Sequence, residues 1–430
     1  MNSVNTEPVR GTVRNPTARL SLALVSPGWP PDAYANGIIT VVSGLAQQMR
    51  RIGHAVTVIA DRGTEDPGGE VQVVQPLRRS GQFAVRMLDK IARDLSPATG
   101  ERRQVVRSYT SAIRGLIAEG GLQLVDMEES FGYSRWLQGE LAIPVAVRLH
   151  GPWFLNAHGV ARDDSYRARV RAEGLAIRDA FALSSPSADV LDRTRAMYGL
   201  ELPRARIIPN SVEIVPDDLR WSADAADRDE ILFIGRFDRH KGGDVMIDAF
   251  AELARRRPNL RLRFVGPDRG LVDDAGRRWS IGDYMADRLN DVVEPSRCAW
   301  MGQQLNNELP KLRRGAGIVV IPSRYETFGV TVLEAMMSGC PLVASRAGGI
   351  PEIVDDGING LLVEPGRHDE LAARLETLLD DRDLAARLGH QAAVDSRRRF
   401  SPEVVALAFE AYYREAIDAF GRRRGGTRPR

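Results

Sequence analysis

The sequence predicts an α/β protein made of two doubly wound parallel-sheet domains in series, facing each other across a cleft. Short apolar runs alternate with helix-length amphipathic stretches along most of the chain, as expected for parallel strands covered by helices on both faces. This alternation occurs twice, and a polar, acidic segment at 215–230 separates the two series. A length of 430 residues is sufficient for two large domains.

The composition is that of an ordinary globular protein. Hydrophobic residues make up 43% of the chain and charged residues 27%, and no run approaches the ~18 apolar residues of a membrane-spanning helix. The net charge of only +2 argues against a dedicated nucleic-acid-binding protein. Cys298 and Cys340 are too few for a disulfide framework or a four-ligand metal site. The low cysteine content predicts a reducing, cytoplasmic compartment, and the first apolar run, 20–25, is too short for a secretory signal and is predicted to be a strand.

The first half of the chain is predicted to carry six strands. The loop after the first strand ends at Asn36-Gly37, where an amphipathic helix begins. Free backbone N–H groups at a helix start suit an anion, so Gly37 is a candidate ligand-binding residue, although an ordinary strand–helix turn explains the pattern equally simply. The predicted strands are 20–25, 55–60, 122–127, 143–150, 181–185 and 205–210.

The second half repeats the pattern after the predicted linker at 215–230. Long helices are predicted over 369–399 and 402–420, and the basic tail 421–430 is expected to be disordered. The predicted strands are 230–235, 260–266, 316–323, 341–345 and 360–364.

Two common nucleotide-binding motifs are absent from the sequence. The loop after the first strand lacks G-x-G-x-x-G, and no G-x-x-x-x-G-K-[ST] occurs. Because these glycines allow the backbone to approach a pyrophosphate or phosphate closely, their absence disfavours a nicotinamide dehydrogenase and a phosphate-loop NTPase.

Two cations follow the first strand of the second half, in the segment GRFDRHKGGD. Arg236 and Lys241 flank a short loop that opens a helix, where positive charge opposes the helix dipole unless an anion is bound. A planar guanidinium and a compact ammonium together fit a diphosphate. A solvated basic turn is the alternative, but lysine occurs only at positions 90, 241 and 311, which favours a specific role for Lys241.

The segment 322–354 begins at the carboxyl end of a predicted strand and carries two glutamates. Glu326 lies in the loop, and Glu334 lies eight positions later in the following helix. A carboxylate accepts hydrogen bonds from vicinal hydroxyls, as in a ribose or a hexose. Helix capping or surface exposure is the alternative for such a pair. The loop-to-helix junction, whose amides can point at a ligand, consists of Thr327, Phe328, Gly329 and Val330.

These motifs make the sequence recognisable. ETFGVTVLEAMMSGCPLVAS at 326–345, GGIPEIVDDGINGLLVEPG at 348–366 and GRFDRHKGG at 235–243 resemble the family 4 retaining glycosyltransferases, which have two facing Rossmann-like domains in the arrangement called GT-B. IIPNSVE at 207–213 is similar to the family's PNGVD element, with serine and glutamate substituted. In the first half the resemblance is limited to the glycine loop and RLHG at 148–151.

The resemblance implies roles for the matching residues. Arg236 and Lys241 bind the donor diphosphate, and Glu334 holds the ribose diol. Glu326 lies beside the transferred sugar, and His150 lies near the reaction centre. The implied donor-binding residues are Gly37, Arg236, Lys241, Thr327, Phe328, Gly329, Val330 and Glu334, and the implied catalytic residues are Glu326, His150, Arg236 and Lys241.

The resemblance also implies domain limits and an activity. The N-terminal domain is expected over 1–217, completed by helix 402–420, and the C-terminal domain over 218–401. The expected activity is transfer of a sugar, with retention, from a UDP-, GDP- or ADP-linked donor to an unidentified acceptor such as a glycan, lipid-linked or small-molecule hydroxyl. A nucleotide-sugar epimerase, a sugar phosphorylase and a non-catalytic sugar-nucleotide-binding subunit remain alternatives.

No metal or other cofactor is expected. An Asp-x-Asp element that could hold a metal would follow a strand, whereas Asp227-Arg228-Asp229 falls in the predicted linker and Asp381-Arg382-Asp383 falls between terminal helices. The basic amphipathic stretches 78–95 and 101–117 could rest on anionic lipid at the inner face of the membrane, or be solvated helix faces. Trp279, in a polar insert, lines the cleft or packs inside the protein.

Overall fold

The structure is a computed structural model that describes residues 18–34, 36–64, 69–73, 97–157, 161–290 and 292–425. Within these ranges the chain forms two parallel sheets that carry helices on both faces. Both faces of the first sheet are apolar, as successive residues of its first strand show. Leu22 and Leu24 belong to one apolar core, while Ala23 and Val25 belong to another on the opposite face. The predicted α/β fold with two doubly wound domains is confirmed.

The first sheet has the strand order β3-β2-β1-β4-β5-β6-β7, and its strand pairs are parallel. The first helix begins where the sequence predicts, because the Asn36 side chain accepts a hydrogen bond from the Ile38 amide at 2.9 Å. The strands are β1 (Ser21–Ser26), β2 (Ala55–Ala60), β3 (Val71–Val73), β4 (Leu124–Glu128), β5 (Val145–Arg148), β6 (Ala182–Ser185) and β7 (Arg206–Ile207). The helices are α1 (Gly37–Arg51), α2 (Pro97–Gly120), α3 (Tyr133–Glu140), α4 (Trp153–Asn156), α5 (Asp164–Asp179) and α6 (Ala188–Tyr198).

The second sheet has the order β12-β9-β8-β13-β14-β15 and is also parallel. A short antiparallel pair, β10 with β11, lies outside it. The strands are β8 (Asp227–Ile234), β9 (Arg261–Val265), β10 (Leu271–Val272), β11 (Arg278–Trp279), β12 (Cys298–Trp300), β13 (Ala316–Ile321), β14 (Leu342–Ser345) and β15 (Leu361–Val363). The helices are α7 (Gly243–Ala254), α8 (Ile281–Leu289), α9 (Leu309–Gly315), α10 (Val330–Ser338), α11 (His368–Asp380), α12 (Arg382–Phe400) and α13 (Pro402–Gly425).

Both sheets reverse their strand order at one point, between β1 and β4 in the first and between β8 and β13 in the second. Ligands of open α/β sheets bind in the crevice outside the carboxyl ends of the strands at this point. The loops after β8 and β13 are the segments 235–242 and 322–329. The fold therefore brings the two sequence motifs of the second half together.

The last helix, α13, packs against the first sheet. Phe409 and Tyr413 are 1% and 0% exposed and belong to the same core as Leu22 of β1. The Tyr413 hydroxyl donates a hydrogen bond to Asp126 Oδ2 of β4 at 2.6 Å. The chain thus returns to its first half after completing the second sheet. The sequence predicts apolar contacts from Val404 as well as from Val405, Phe409 and Tyr413, but Val404 is 41% exposed and lies outside this core.

Several elements differ from the sequence-based expectation. The strands β3 and β12 and the pair β10–β11 were not predicted, because two or three residues are too few to establish an alternating pattern. The predicted linker is too long at its end, since β8 begins at Asp227, so Asp227-Arg228-Asp229 opens a strand. Before the expected domain limit, Val212 and Val215 already pack in a core of the second domain.

The structure also describes part of the predicted tail and one of the two predicted basic stretches. Residues 421–425, predicted to be disordered, continue α13, and 426–430 and 78–95 lie outside the described residues. The helix α2 contains the predicted basic stretch 101–117. Its apolar side packs onto the sheet through Tyr109 and Ile113. That side is therefore unavailable to lipid. Among the described residues, no helix is both long and apolar enough to cross a bilayer.

Candidate active site

A cavity of about 1160 Å³ lies between the two domains, where the carboxyl ends of the two sheets face each other. Loops of both domains line it, among them the start of α1, the loop after β5 and the loops after β8 and β13. The fold brings all of the sequence-predicted site residues to this cavity. They are Gly37, His150, Arg236, Lys241, Glu326, Thr327, Phe328, Gly329, Val330 and Glu334.

The N-terminus of α6 connects the two domains beside this cavity. The backbone amides of Ala188 and Asp189 donate to the two carboxylate oxygens of Glu352 at 2.8 and 2.9 Å, an arrangement that the helix dipole favours. The Ser187 hydroxyl donates to the Thr327 carbonyl at 2.6 Å. The first domain therefore holds the backbone of the 326–330 segment directly.

The loop that carries His150 approaches the same segment closely. Gly151 has φ +143°, and a Cβ at this position would lie 2.3 Å from Asn156 Nδ2 and 2.8 Å from Thr327 Cγ2, so a larger residue would clash with both side chains. The His150 and Gly151 amides both donate to the Glu129 carboxylate, at 3.0 and 2.9 Å. Burial and the nearby Arg148 charge lower the pKa of His150 to about 3. The imidazole is therefore neutral at physiological pH.

Lys241 and Glu326 form an ion pair in the cavity. Lys241 Nζ lies 2.5 Å from Glu326 Oε1, which also accepts a hydrogen bond from the Ser323 hydroxyl at 2.8 Å. Burial opposes ionisation of Glu326, but the Lys241 charge and these hydrogen bonds outweigh it and lower the pKa of Glu326. The loop reaches this position because Gly242, with φ +70°, allows the backbone to pass the Pro322 carbonyl, which a Cβ would approach to 2.1 Å.

Arg236 is also paired in the structure. Its Nε donates to Asp238 Oδ2 at 2.6 Å, while Asp238 Oδ1 accepts the Lys241 amide at 2.8 Å. Arg236 is about half exposed, so its remaining donors can reach an anion without breaking a buried contact. One carboxylate thus organises the loop that carries both predicted diphosphate-binding cations.

The helix α10 presents Glu334 to the cavity, and the loop before it places Phe328 in the protein interior. Phe328 is 2% exposed and packs edge-on against Phe400 at 5.9 Å, so only its backbone can contact a ligand. Glu334 is 31% exposed and forms an ion pair with Arg313 of α9. The sequence motif therefore combines a core anchor with a cavity-facing carboxylate.

Sequence reasoning missed several cavity residues. Arg324 donates two hydrogen bonds to the Asp244 carboxylate at 2.8 and 2.7 Å; its place directly after a strand is a signal that could have identified it. Trp279 is 5% exposed and packs in the second domain, so it does not line the cleft. Further cavity residues without an earlier prediction include Tyr34, Asn156, Asn210, Arg239, His240, Arg269, Val272, Asn306 and Leu309.

Three enclosed glutamates lie at the carboxyl end of β4 and on α5, beneath the His150 loop. Burial, reinforced by neighbouring carboxylates, raises the pKa of Glu128 to about 7 and that of Glu129 to about 8, from 4.5 for an ordinary glutamate. Burial also raises the pKa of Glu173. These three carboxyls therefore bind more protons in the folded protein than in the unfolded chain above pH 4.5, and their contribution to the free energy of unfolding falls as the pH rises through the folded-state values.

We expect the thermal unfolding midpoint to fall between about pH 5 and pH 8, and Glu128→Gln to reduce this fall. Glutamine cannot ionise and keeps an oxygen for the Ser130 hydroxyl, which donates to Glu128 Oε2 at 3.1 Å. Glu140→Gln, at an exposed position of α3, serves as the control. Scanning calorimetry across this pH range measures both slopes; equal slopes in wild type and Glu128→Gln would contradict the assignment.

Comparison with known proteins identifies the family. The profile described as Glycosyltransferase Family 4 matches residues 35–215, and that described as Glycosyl transferases group 1 matches residues 217–395. The D-inositol 3-phosphate glycosyltransferase of Nocardiopsis dassonvillei is 27% identical over 403 residues, which cover 81% of this chain and 91% of that protein.

Two solved structures share the fold. Sucrose-phosphate synthase from Thermosynechococcus elongatus has a TM-score of 0.68 at 21% identity, covering 93% of this chain and 100% of its own. The Anabaena protein HepE in complex with UDP has a TM-score of 0.65 at 17% identity, covering 91% and 99%. Because the two profiles occupy consecutive parts of one chain that folds into two facing Rossmann-like domains, the protein belongs to the family 4 glycosyltransferases with the GT-B fold.

Proposed function

We propose that this glycosyltransferase moves a sugar, with retention, from a nucleoside diphosphate donor to a hydroxyl group of an acceptor. The observation that carries the proposal is the convergence of cations, carboxylates and a neutral histidine from both domains on one cavity. These groups are Arg236, Lys241, Glu326, Glu334 and His150. The likeness to a HepE structure that contains UDP supports a nucleoside diphosphate as the common part of the donor.

The charges in the cavity are opposite in sign to those that develop when the sugar–diphosphate bond breaks. Cleavage of a sugar–diphosphate bond leaves negative charge on the diphosphate and develops positive charge at the anomeric carbon. Lys241 Nζ lies 2.5 Å from Glu326 Oε1. A cation that can contact the phosphate therefore lies next to an anion that can contact the sugar. Removing one such preorganised group typically costs about 10²–10³-fold in rate.

The stereochemical proposal rests on the carboxylates. Those that line the cavity among the described residues are Asp238, Glu326 and Glu334, and each is paired with an arginine or lysine. Glu326, which we place beside the sugar, is held by the Lys241 ammonium and the Ser323 hydroxyl, so we assign it stabilisation of the developing charge and not the role of the nucleophile in a double displacement. We therefore favour front-face attack, in which the acceptor hydroxyl bonds to the anomeric carbon on the side that the diphosphate leaves and passes its proton to a phosphate oxygen.

His150 fits this reaction as a neutral group. With its pKa lowered to about 3, it carries no charge at neutral pH and can exchange hydrogen bonds with a sugar hydroxyl. The proposal includes metal independence, because Arg236 and Lys241 supply fixed positive charge for the departing diphosphate. Full activity in the presence of a chelator is the corresponding expectation.

Thermal unfolding in the presence of UDP, GDP or ADP tests the donor assignment. A ligand at about 100 times its dissociation constant stabilises the folded protein by about 2.7 kcal/mol, so one of the three should raise the unfolding midpoint clearly. Glu334→Gln should need more nucleotide for the same shift, while Glu308→Gln, at an exposed position of α9's N-terminal flank, should not. No shift with any of the three would refute the donor class. Turnover of the matching nucleotide sugar without an acceptor, to its epimer, would favour an epimerase.

A further inference from the structure

Glu334, in the wall of the cavity, is in contact with a buried arginine. Arg313 lies in the last turn of α9, and its Nη2 donates a hydrogen bond to Glu334 Oε2. The arginine side chain is 4% exposed, whereas Glu334 is 31% exposed and lines the cavity. One end of the Glu334 carboxylate is therefore tied to a buried cation, and the side chain still reaches the ligand space.

The arginine is itself held in place. Its carbonyl oxygen accepts hydrogen bonds from the Cys340 thiol at 3.4 Å and from the Ala316 amide that ends α9. Cys340 directly follows the turn after α10, the helix that carries Glu334. The backbone of Arg313 is thus anchored to the residue that follows the end of α10, which places its guanidinium beside the Glu334 carboxylate.

Arg313 is a costly residue for this position if its role is only to pack. Its Nε is buried and finds no hydrogen-bond acceptor among the residues that the structure describes, and a buried unsatisfied donor destabilises a fold. An apolar side chain of similar length would avoid that cost. Removal of one member of a buried ion pair is strongly destabilising because it leaves the other charge buried and uncompensated, and a partner that faces solvent would escape that penalty. Glu334 is such a partner, because it faces the cavity.

We propose that Arg313 is a positioning residue that fixes the Glu334 carboxylate in the orientation that binds the ribose diol of the donor. This inference rests on the proposed nucleotide-sugar donor. With Oε2 held by Arg313, Oε1 is directed to the ligand, and both oxygens keep lone pairs for two neighbouring hydroxyls. Arg313 then determines how strongly the site prefers a ribonucleotide over a deoxyribonucleotide, without contacting the ligand.

The test compares two nucleotides by titration calorimetry. The probes are whichever of UDP, GDP and ADP binds wild type best, and the 2′-deoxy form of the same nucleotide. Wild type should prefer the ribonucleotide by about tenfold or more, as expected for one hydrogen bond to a charged group. Arg313→Met should weaken ribonucleotide binding by about tenfold and leave deoxyribonucleotide binding nearly unchanged, so the preference disappears.

Three further variants complete the experiment. Arg314→Met changes the exposed neighbour on the same helix and should keep the preference. Arg313→Lys keeps one charged donor and should keep part of it, which provides the test if Arg313→Met does not fold. In a Glu334→Gln background, Arg313→Met should cause no further loss of preference, because the two residues act through one contact.

The possible failures are distinguishable. If no diphosphate binds wild type, the proposed donor class fails. If wild type binds but shows no ribose preference, or if Arg313→Met and Arg313→Lys retain the full preference or weaken both nucleotides equally, the inference about Arg313 is wrong and its role is structural.

Discussion

Replacing Glu326 with glutamine is expected to lower kcat by about 100-fold or more, which corresponds to about 3 kcal/mol of transition-state stabilisation. Glutamine keeps the shape of the side chain and an oxygen for the Lys241 ammonium, which lies 2.5 Å from Glu326 Oε1. It removes the negative charge that faces the developing positive charge of the sugar. Because this interaction grows as the bond breaks, its loss affects the chemical step more than the binding of the donor.

Glu334→Gln is the matched comparison, since it makes the same chemical change eight positions further along the motif. The ribose does not change during the reaction, so contacts to it contribute equally to the ground state and the transition state. Their loss raises KM and weakens binding of the free diphosphate, while kcat changes little. Steady-state kinetics and titration calorimetry on both variants measure the difference. If Glu326→Gln weakens diphosphate binding while kcat is unchanged, and Glu334→Gln does the reverse, the two roles are exchanged.

Deleting residues from Ser401 onward is expected to abolish soluble expression. The deletion removes α13, whose Val405, Phe409 and Tyr413 are at most 3% exposed and complete the core against β1 and α1. It also leaves Asp126 without the hydrogen bond from the Tyr413 hydroxyl. An uncovered apolar sheet face of this size leads to aggregation. A soluble, active protein ending at Phe400 would show that α13 is not required to complete the first domain.

Point substitutions in the same helix separate packing from chain length. Phe409→Ala should destabilise the protein by about 3–5 kcal/mol, the usual range for a fully buried phenylalanine. Val404→Ala is the matched control, because Val404 is 41% exposed, and its effect should stay within about 0.5 kcal/mol. Unfolding midpoints in urea, with both variants in the full-length chain, measure this contrast.

The parts of the fold that could be predicted from sequence are those buried on both sides. Central strands such as β1 and β13 are continuous apolar runs because each residue faces one of two cores, and such runs are visible in a single sequence. The short edge strands β3 and β12 pair with a neighbour on one side. Their formation depends on the edge of the sheet that the rest of the fold provides, and local sequence does not contain this information.

The candidate site also has a part that local sequence predicts and a part that it does not. Arg236, Lys241 and Glu326 could be proposed because charged side chains near glycines in loops after strands form a local pattern, and Glu334 because it follows Glu326 by eight positions in the same motif. Their partners could not, since the ion pair between Lys241 and Glu326 joins positions 85 residues apart. The contact of Glu352 with the start of α6 likewise spans 164 residues. The first pair forms when the second domain folds, and the second pair forms only when the two domains come together.

A crystal structure of the protein with its best-binding nucleoside diphosphate tests the central claim most directly. The account predicts the nucleotide in the cavity between the domains, with the ribose hydroxyls on Glu334 and the diphosphate on Arg236 and Lys241. A nucleotide bound elsewhere would contradict the account, for example in the cavity of about 920 Å³ beside the end of α13, which Phe181 and Arg422 line. A nucleotide in the cleft with its ribose away from Glu334 would contradict it as well.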